Sequence, residues 1–101
     1  MSYRYVVASL YRYMKDLRQQ IDQIDQKIIK LLAERMDLVK EIAKFKKTNK
    51  LPVKDKKREE ELRKNLKKLA KKHGLDPEFV NHLYSHVFIE SRKVQGLSGK
   101  D

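Results

Sequence analysis

Three basic side chains lie on the sides of predicted helices where apolar residues would normally pack. Arg35 interrupts an apolar helical stripe in the segment LLAERMDLVKEIAKFKK, residues 31–47. Lys46 follows eleven residues later, three full turns along and therefore on nearly the same side, and Arg58 lies on the inner side of the next predicted helix. Buried cations need negative partners, and Glu59 cannot neutralise all three. The surplus predicts a pocket for an anion with more than one negative group.

Two further polar residues, Ser91 and Gln95, stand one turn apart on the inner side of a third predicted helix. Each polar residue taken alone has a structural explanation. A lone Arg35 in an apolar stripe would set helix register, a lysine such as Lys46 near a helix end would extend its ammonium into water, and Asp55 would cap a helix. Their coincidence on three helices favours a binding site.

The apolar stripe that contains Arg35 predicts one long helix, because its positions are separated by alternating steps of four and three residues. A helix over roughly residues 7–47 is about 60 Å long, far beyond the ~26 Å diameter of a 100-residue globule. One chain cannot cover such a stripe, so the length predicts a two-fold homodimer. The stripe comprises Leu10, Met14, Leu17, Ile21, Ile24, Ile28, Leu31, Arg35, Leu38, Ile42 and Phe45.

A second, shorter helix follows a proline-containing connection. Pro52 restrains the residue before it and ends the first helix, and Asp55 offers its side chain as the N-cap of the second. This helix is expected to reach about His73, with Gly74 as its C-terminal stop. A competing strand pattern is present only weakly, in YRYVVASLY near the N-terminus.

The segment DPEF predicts the start of a third helix, with Asp76 as N-cap and Pro77 at the first helical position. It is expected to end near Gln95. The predicted fold class is therefore all-α, with one very long N-terminal helix and two shorter ones in each chain of an intertwined helical homodimer.

Composition narrows the class of protein. The 101 residues include 25 Lys and Arg against 14 Asp and Glu, a net charge of +11, and no cysteine. A basic surface attracts anions without specifying which, and the missing thiols exclude disulfides and thiolate metal sites. Basic residues interrupt the apolar N-terminal segment, which leaves no uninterrupted run for a signal peptide or membrane span. A soluble, cytoplasmic protein without membrane association is expected.

Three sequence segments together resemble the all-helical class of chorismate mutases. They are LRQQIDQIDQKIIKLLAERMDLVKEIAKFK, PVKDKKREE and GLDPEFVNHLYSHVFIESRKVQ, and the resemblance runs without a gap from Leu17 to Gln95, 79 of the 101 residues. It implies a mutase domain over residues 17–95. Outside it, we expect an N-terminal extension over residues 1–16 that continues the first helix, and a flexible tail over residues 96–101. The resemblance also implies an intertwined homodimer, which the helix length predicts independently.

The resemblance implies four catalytic residues. Arg35 and Arg18 would hold the carboxylates of chorismate, with Arg18 supplied by the partner subunit. Lys46 would contact a carboxylate and the ether oxygen, and Gln95 would donate to the same oxygen. Arg18 and Arg35 are seventeen residues apart on one helix, about 25 Å by rise, so they cannot hold one small molecule from the same chain.

The resemblance implies four further substrate-binding residues. Arg58 would support a carboxylate through water, Ser91 would lie near the ring carboxylate, and Glu59 would accept a hydrogen bond from the ring hydroxyl. The backbone at Asp55 would lie nearby. The implied reaction converts chorismate to prephenate by an intramolecular rearrangement, so no cofactor and no metal are expected. It needs a held conformer and stabilised negative charge on the ether oxygen.

Two alternative functions stay open at this point. Isochorismate-pyruvate lyase shares the helical scaffold and a similar cationic pocket, although DKKREE is closer to the mutases. A basic helical nucleic-acid-binding protein is suggested by the net charge and by the YRY segments at residues 3–5 and 11–13. It is disfavoured because Val7, Leu10 and Met14 fit an amphipathic helix. The row His82, His86 and Glu90 spans about 12 Å, too far to bind one metal ion.

Overall fold

The computed structural model describes residues 2–96 and contains three helices: α1 over Tyr3–Thr48, α2 over Lys56–Lys72 and α3 over Pro77–Val94. Every regular element in this part of the chain is helical, so the predicted all-α, three-helix fold is confirmed. Residues 97–101 lie outside the described residues, and with them most of the predicted flexible tail. None of the described helices has both the length and the apolar character needed to cross a membrane.

The helix α1 begins four residues before the predicted start near Val7. The weak strand pattern in YRYVVASLY is therefore helical, because Val7, Leu10 and Met14 continue the helical stripe through it. The chain divides into two compact units, one up to Arg35 and one from Met36 onward.

In its described residues, the first unit is a single stretch of α1 in which no residue is buried. Its apolar stripe residues, from Leu10 to Leu31, are all more than one-third exposed, from 37% at Met14 to 62% at Leu10, with Ile24 at 55%. An exposed apolar surface of this extent usually marks an interaction site. The predicted homodimer would cover it, and the homodimer stays a prediction.

The second unit contains the packed core. Helices α2 and α3 lie against each other, and the most buried side chains include Ala70 on α2 and Val87 and Phe88 on α3. Arg63 links the two helices at one side of this core. Its Nη1 donates to Asn81 Oδ1 at 2.6 Å and to Ser85 Oγ at 3.2 Å, and its guanidinium lies 4.8 Å from the centre of the Phe88 ring.

The predicted caps of α2 and α3 are confirmed. The Asp55 carboxylate accepts from the Arg58 backbone N–H at 3.0 Å, and the Asp76 carboxylate accepts from the Glu78 backbone N–H at 3.0 Å. Both satisfy N–H groups that have no partner inside the helix. At the other end of α2, Gly74 takes a left-handed conformation with φ of 71°, which glycine adopts without steric cost.

Candidate active site

The two arginines predicted to hold carboxylates, Arg18 and Arg35, both lie on α1 in the first unit. Arg18 is exposed, whereas Arg35 is half-buried. Seventeen residues apart on one helix, Arg18 and Arg35 are about 25 Å apart by rise, so a single chain does not bring both to one small ligand.

Lys46, near the end of α1, is hydrogen-bonded to the connection between α1 and α2. The half-buried Lys46 donates from its ammonium to the Val53 carbonyl oxygen at 2.9 Å. Two residues further along, Asp55 caps α2. An ammonium carries three N–H donors, so Lys46 keeps two for a ligand after it has bonded to Val53.

Arg58 and Glu59, predicted to bind substrate from the start of α2, point in different directions. The Arg58 side chain is 61% exposed and pairs with Glu61 on the same helix at 3.7 Å, which differs from its predicted inward position. Glu59 is half-buried and forms an ion pair with Arg92 on α3. Successive residues of a helix differ by about 100° in direction, and α2 turns Glu59 toward α3.

Ser91 lies on the last turn of α3 and Gln95 is the C-cap of that helix, so the two residues stand one turn apart as predicted. Ser91 is 8% exposed; its hydroxyl donates to the Val87 carbonyl oxygen at 2.8 Å and lies 4.0 Å from the Met36 sulfur. The Gln95 amide nitrogen donates to the Ser91 carbonyl oxygen at 3.2 Å. A side-chain amide carries two N–H donors, so Gln95 keeps one for a ligand.

Arg92 is a residue of this region that the sequence did not indicate. Its guanidinium Nη1 donates to Glu59 Oε1, and its side chain is only 18% exposed. One signal in the sequence could have pointed to Arg92: it lies between Ser91 and Gln95, on a helix that was already predicted to face the site. We call Glu59, Ser91, Arg92 and Gln95 the inner cluster.

Next to the inner cluster, an open depression of about 590 Å³ lies between the end of α1, the connection to α2 and the end of α3. Gln95 is the predicted site residue that borders it, and Val53, the partner of Lys46, also lines it. Its charged lining is mixed, with Lys40, Lys44 and Lys47 beside two carboxylates. Within residues 2–96, no group of three or more His, Asp or Glu side chains is arranged to hold a metal ion.

Residues 17–96 match the family model described as chorismate mutase type II. The chain belongs to this family. The match covers more than three quarters of the chain and confirms the predicted resemblance. It begins at Leu17, where the resemblance in the sequence begins, and ends one residue beyond Gln95.

Individual relatives of the chorismate mutase type II family agree. A protein named chorismate mutase from Methanocaldococcus jannaschii is 35% identical over 80 residues, which cover 79% of this chain and 80% of that protein. The bifunctional chorismate mutase/prephenate dehydratases of Buchnera aphidicola from Acyrthosiphon pisum and of Escherichia coli K12 are 40% and 37% identical, over 77% and 74% of this chain. This chain spans only about one fifth of the length of those two bifunctional relatives.

Proposed function

We propose that this chain is a chorismate mutase, an isomerase that converts chorismate to prephenate. The observation that carries the proposal is the family match over residues 17–96. A relative of similar length that carries the name chorismate mutase supports it. This rearrangement is a step of phenylalanine and tyrosine biosynthesis. It is intramolecular and needs no covalent intermediate with the protein. The protein therefore contributes by holding the reactive conformer and stabilising charge on the ether oxygen.

In the proposed mechanism, donors converge on the two ends of chorismate. Arginine forks of Arg35 and the partner's Arg18 hold its planar carboxylates. Lys46 and Gln95 donate to the ether oxygen, where negative charge grows as the carbon–oxygen bond breaks. The donors that Lys46 and Gln95 retain after bonding to Val53 and Ser91 support these two roles.

The remaining substrate contacts are proposed from α2 and α3. Glu59 accepts from the ring hydroxyl, Ser91 lies near the ring carboxylate, and Arg58 supports a carboxylate through water. The backbone at Asp55 lies beside them. The inward direction of Glu59 supports its role, and the 61% exposure of Arg58 fits a contact made through water.

A homodimer is part of the proposal, and the stripe on α1 supports it. The stripe positions are spaced symmetrically on either side of Gln26. If a second copy of α1 packs antiparallel with its Gln26 opposite this one, a stripe residue before Gln26 faces the partner residue equally far after it. Ile24 then faces the partner's Ile28, and Leu10 faces the partner's Ile42. In this register Arg35 lies opposite the partner's Leu17, beside the Arg18 that it needs. The pairing also covers the exposed apolar side chains of α1.

The proposed chorismate mutase domain is residues 17–95, preceded by an N-terminal extension over residues 1–16, in which α1 begins, and followed by a tail over residues 96–101. A cytoplasmic location stays a prediction. The test of function supplies the purified chain with chorismate and with isochorismate in parallel and identifies the products. Prephenate from chorismate supports the proposal. Pyruvate from isochorismate without prephenate would favour the lyase, and turnover of neither substrate would contradict both activities.

A further inference from the structure

The ion pair between Glu59 and Arg92 joins α2 to α3 within the inner cluster. The side chains of Glu59 and Arg92 are 31% and 18% exposed. By contrast, Arg58–Glu61 and Lys93–Glu90 each join residues three apart on one helix, and all four side chains are more than half exposed. Exposed pairs contribute little to stability or orientation. A sheltered, charge-assisted bond between two helices fixes one side chain relative to the other.

We propose that Arg92 is a positioning residue for substrate binding, because it holds the Glu59 carboxylate in the orientation that accepts the ring hydroxyl. The inference rests on the proposed function, in which Glu59 contacts that hydroxyl. Arg92 acts through Glu59 and does not itself touch the reacting atoms. Without the guanidinium, a carboxylate largely withdrawn from water turns toward solvent, since a sheltered charge without a partner is unfavourable.

The geometry of the pair suits this role. Arg92 Nη1 bonds to Glu59 Oε1, and within residues 2–96 the other oxygen of Glu59 accepts no hydrogen bond from the protein. One oxygen is thereby anchored and the second is left for a hydroxyl donor. A planar guanidinium defines the direction of its partner more closely than a rotatable ammonium does, so arginine and lysine are not equivalent here.

Two further atoms indicate that this end of α3 is built for a polar ligand. Arg92 Nε and Gln95 Oε1 are both buried, and neither has a hydrogen-bond partner in the described part of the chain. Buried polar atoms without partners are uncommon and need a reason, such as a functional site. Arg92 and Gln95 are three residues apart on one helix and so share a side. The side of α3 beside Glu59 thus carries buried polar atoms that the described part of the protein leaves without partners.

The test measures kcat and KM for chorismate with the unsubstituted 101-residue chain. It compares them with those of Arg92→Met, Arg92→Lys, Glu59→Gln and the double variant Glu59→Gln/Arg92→Met. We expect Arg92→Met to raise KM about tenfold, the factor that corresponds to one charge-assisted hydrogen bond, with kcat changed less than about threefold. Arg92→Lys recovers part of the loss. In the Glu59→Gln background, Arg92→Met is expected to have no further effect on KM, because the carboxylate that Arg92 positions has already been removed.

Arg63→Met is the matched control, since Arg63 also links α2 to α3 but does so through Asn81 and Ser85. It is expected to lower the melting temperature and leave KM unchanged. Should Arg92→Met not fold, Arg92→Lys carries the comparison, with an expected KM increase that Glu59→Gln abolishes.

Three results would overturn the role of Arg92 without affecting the proposed function. The first is an unchanged KM in Arg92→Met. The others are an Arg92→Met effect on KM that is equally large with Glu59 and with Gln at position 59, or a KM change of the same size in Arg63→Met. Each requires an active parent protein. A parent protein that does not turn over chorismate would instead overturn the proposed function, and this inference with it.

Discussion

The Lys46 ammonium donates a hydrogen bond to the backbone carbonyl oxygen of Val53, at 2.9 Å. The bond closes the connection between α1 and α2, and it fixes a cation that would otherwise have many rotamers. A preorganised donor stabilises developing charge without first having to reorganise. The connection therefore helps to hold in place the residue proposed to donate to the ether oxygen.

Replacing Lys46 with alanine is expected to reduce kcat for chorismate by about 10²- to 10³-fold, or about 3–4 kcal/mol of barrier, as for loss of one oxyanion donor. The variant should still fold, with a stability loss of about 1 kcal/mol from the missing bond to Val53. Steady-state kinetics and thermal unfolding check both effects. Lys47→Ala removes a neighbouring exposed lysine and should leave kcat nearly unchanged. Near-normal turnover by Lys46→Ala would contradict the assignment of Lys46.

Mixed dimers of Arg18→Ala and Lys46→Ala test whether two chains build each site. Each variant alone should be inactive, because every site lacks one group. After joint unfolding and refolding, the heterodimer combines an intact Lys46 with the partner's intact Arg18 in one of its two sites. Random pairing then restores about one quarter of the parent activity. A mixture that stays as inactive as its components would show that Arg18 does not act across an interface.

Ile24→Glu should break the proposed homodimer. In the antiparallel register, this substitution places a carboxylate against the partner's Ile28 on each side of the two-fold axis, and a charge in an apolar contact without a partner is strongly disfavoured. We expect dissociation in sedimentation or light scattering, with loss of chorismate turnover. Gln26→Glu adds the same charge on the side of α1 away from the stripe and should stay dimeric. A dimeric, active Ile24→Glu protein would exclude this register.

The sequence predicted features that depend on local chemistry. Asp55 and Asp76 indicated helix starts because their carboxylates satisfy nearby N–H groups, and both caps are present. Arg92 was not predicted because its significance depends on the packing of α2 on α3, which brings it to a carboxylate thirty-three residues away. The same packing determines that Glu59 and not Arg58 faces α3, a difference of one helical position that an apolar pattern alone does not resolve.

The ends of α1 and α2 allow a matched test of backbone conformation. Both helices are followed by a residue with positive φ, Lys50 at 54° and Gly74 at 71°. In both cases the next backbone N–H bonds back to the helix at 2.8 Å, Leu51 to Lys46 and Leu75 to Ala70, as in a Schellman motif.

A side chain in this conformation costs about 1 kcal/mol, whereas glycine avoids the cost. Lys50→Gly should therefore raise the free energy of unfolding by up to about 1 kcal/mol, and Gly74→Ala should lower it by about the same amount. Within residues 2–96, no atom beyond Gly74 and its two chain neighbours lies within 4 Å of a Cβ built at Gly74, so the loss of stability there reports the backbone conformation and not a steric clash. Denaturant unfolding at fixed protein concentration measures both changes. Shifts of the same sign in the two variants would refute the left-handed geometry at one of these helix ends.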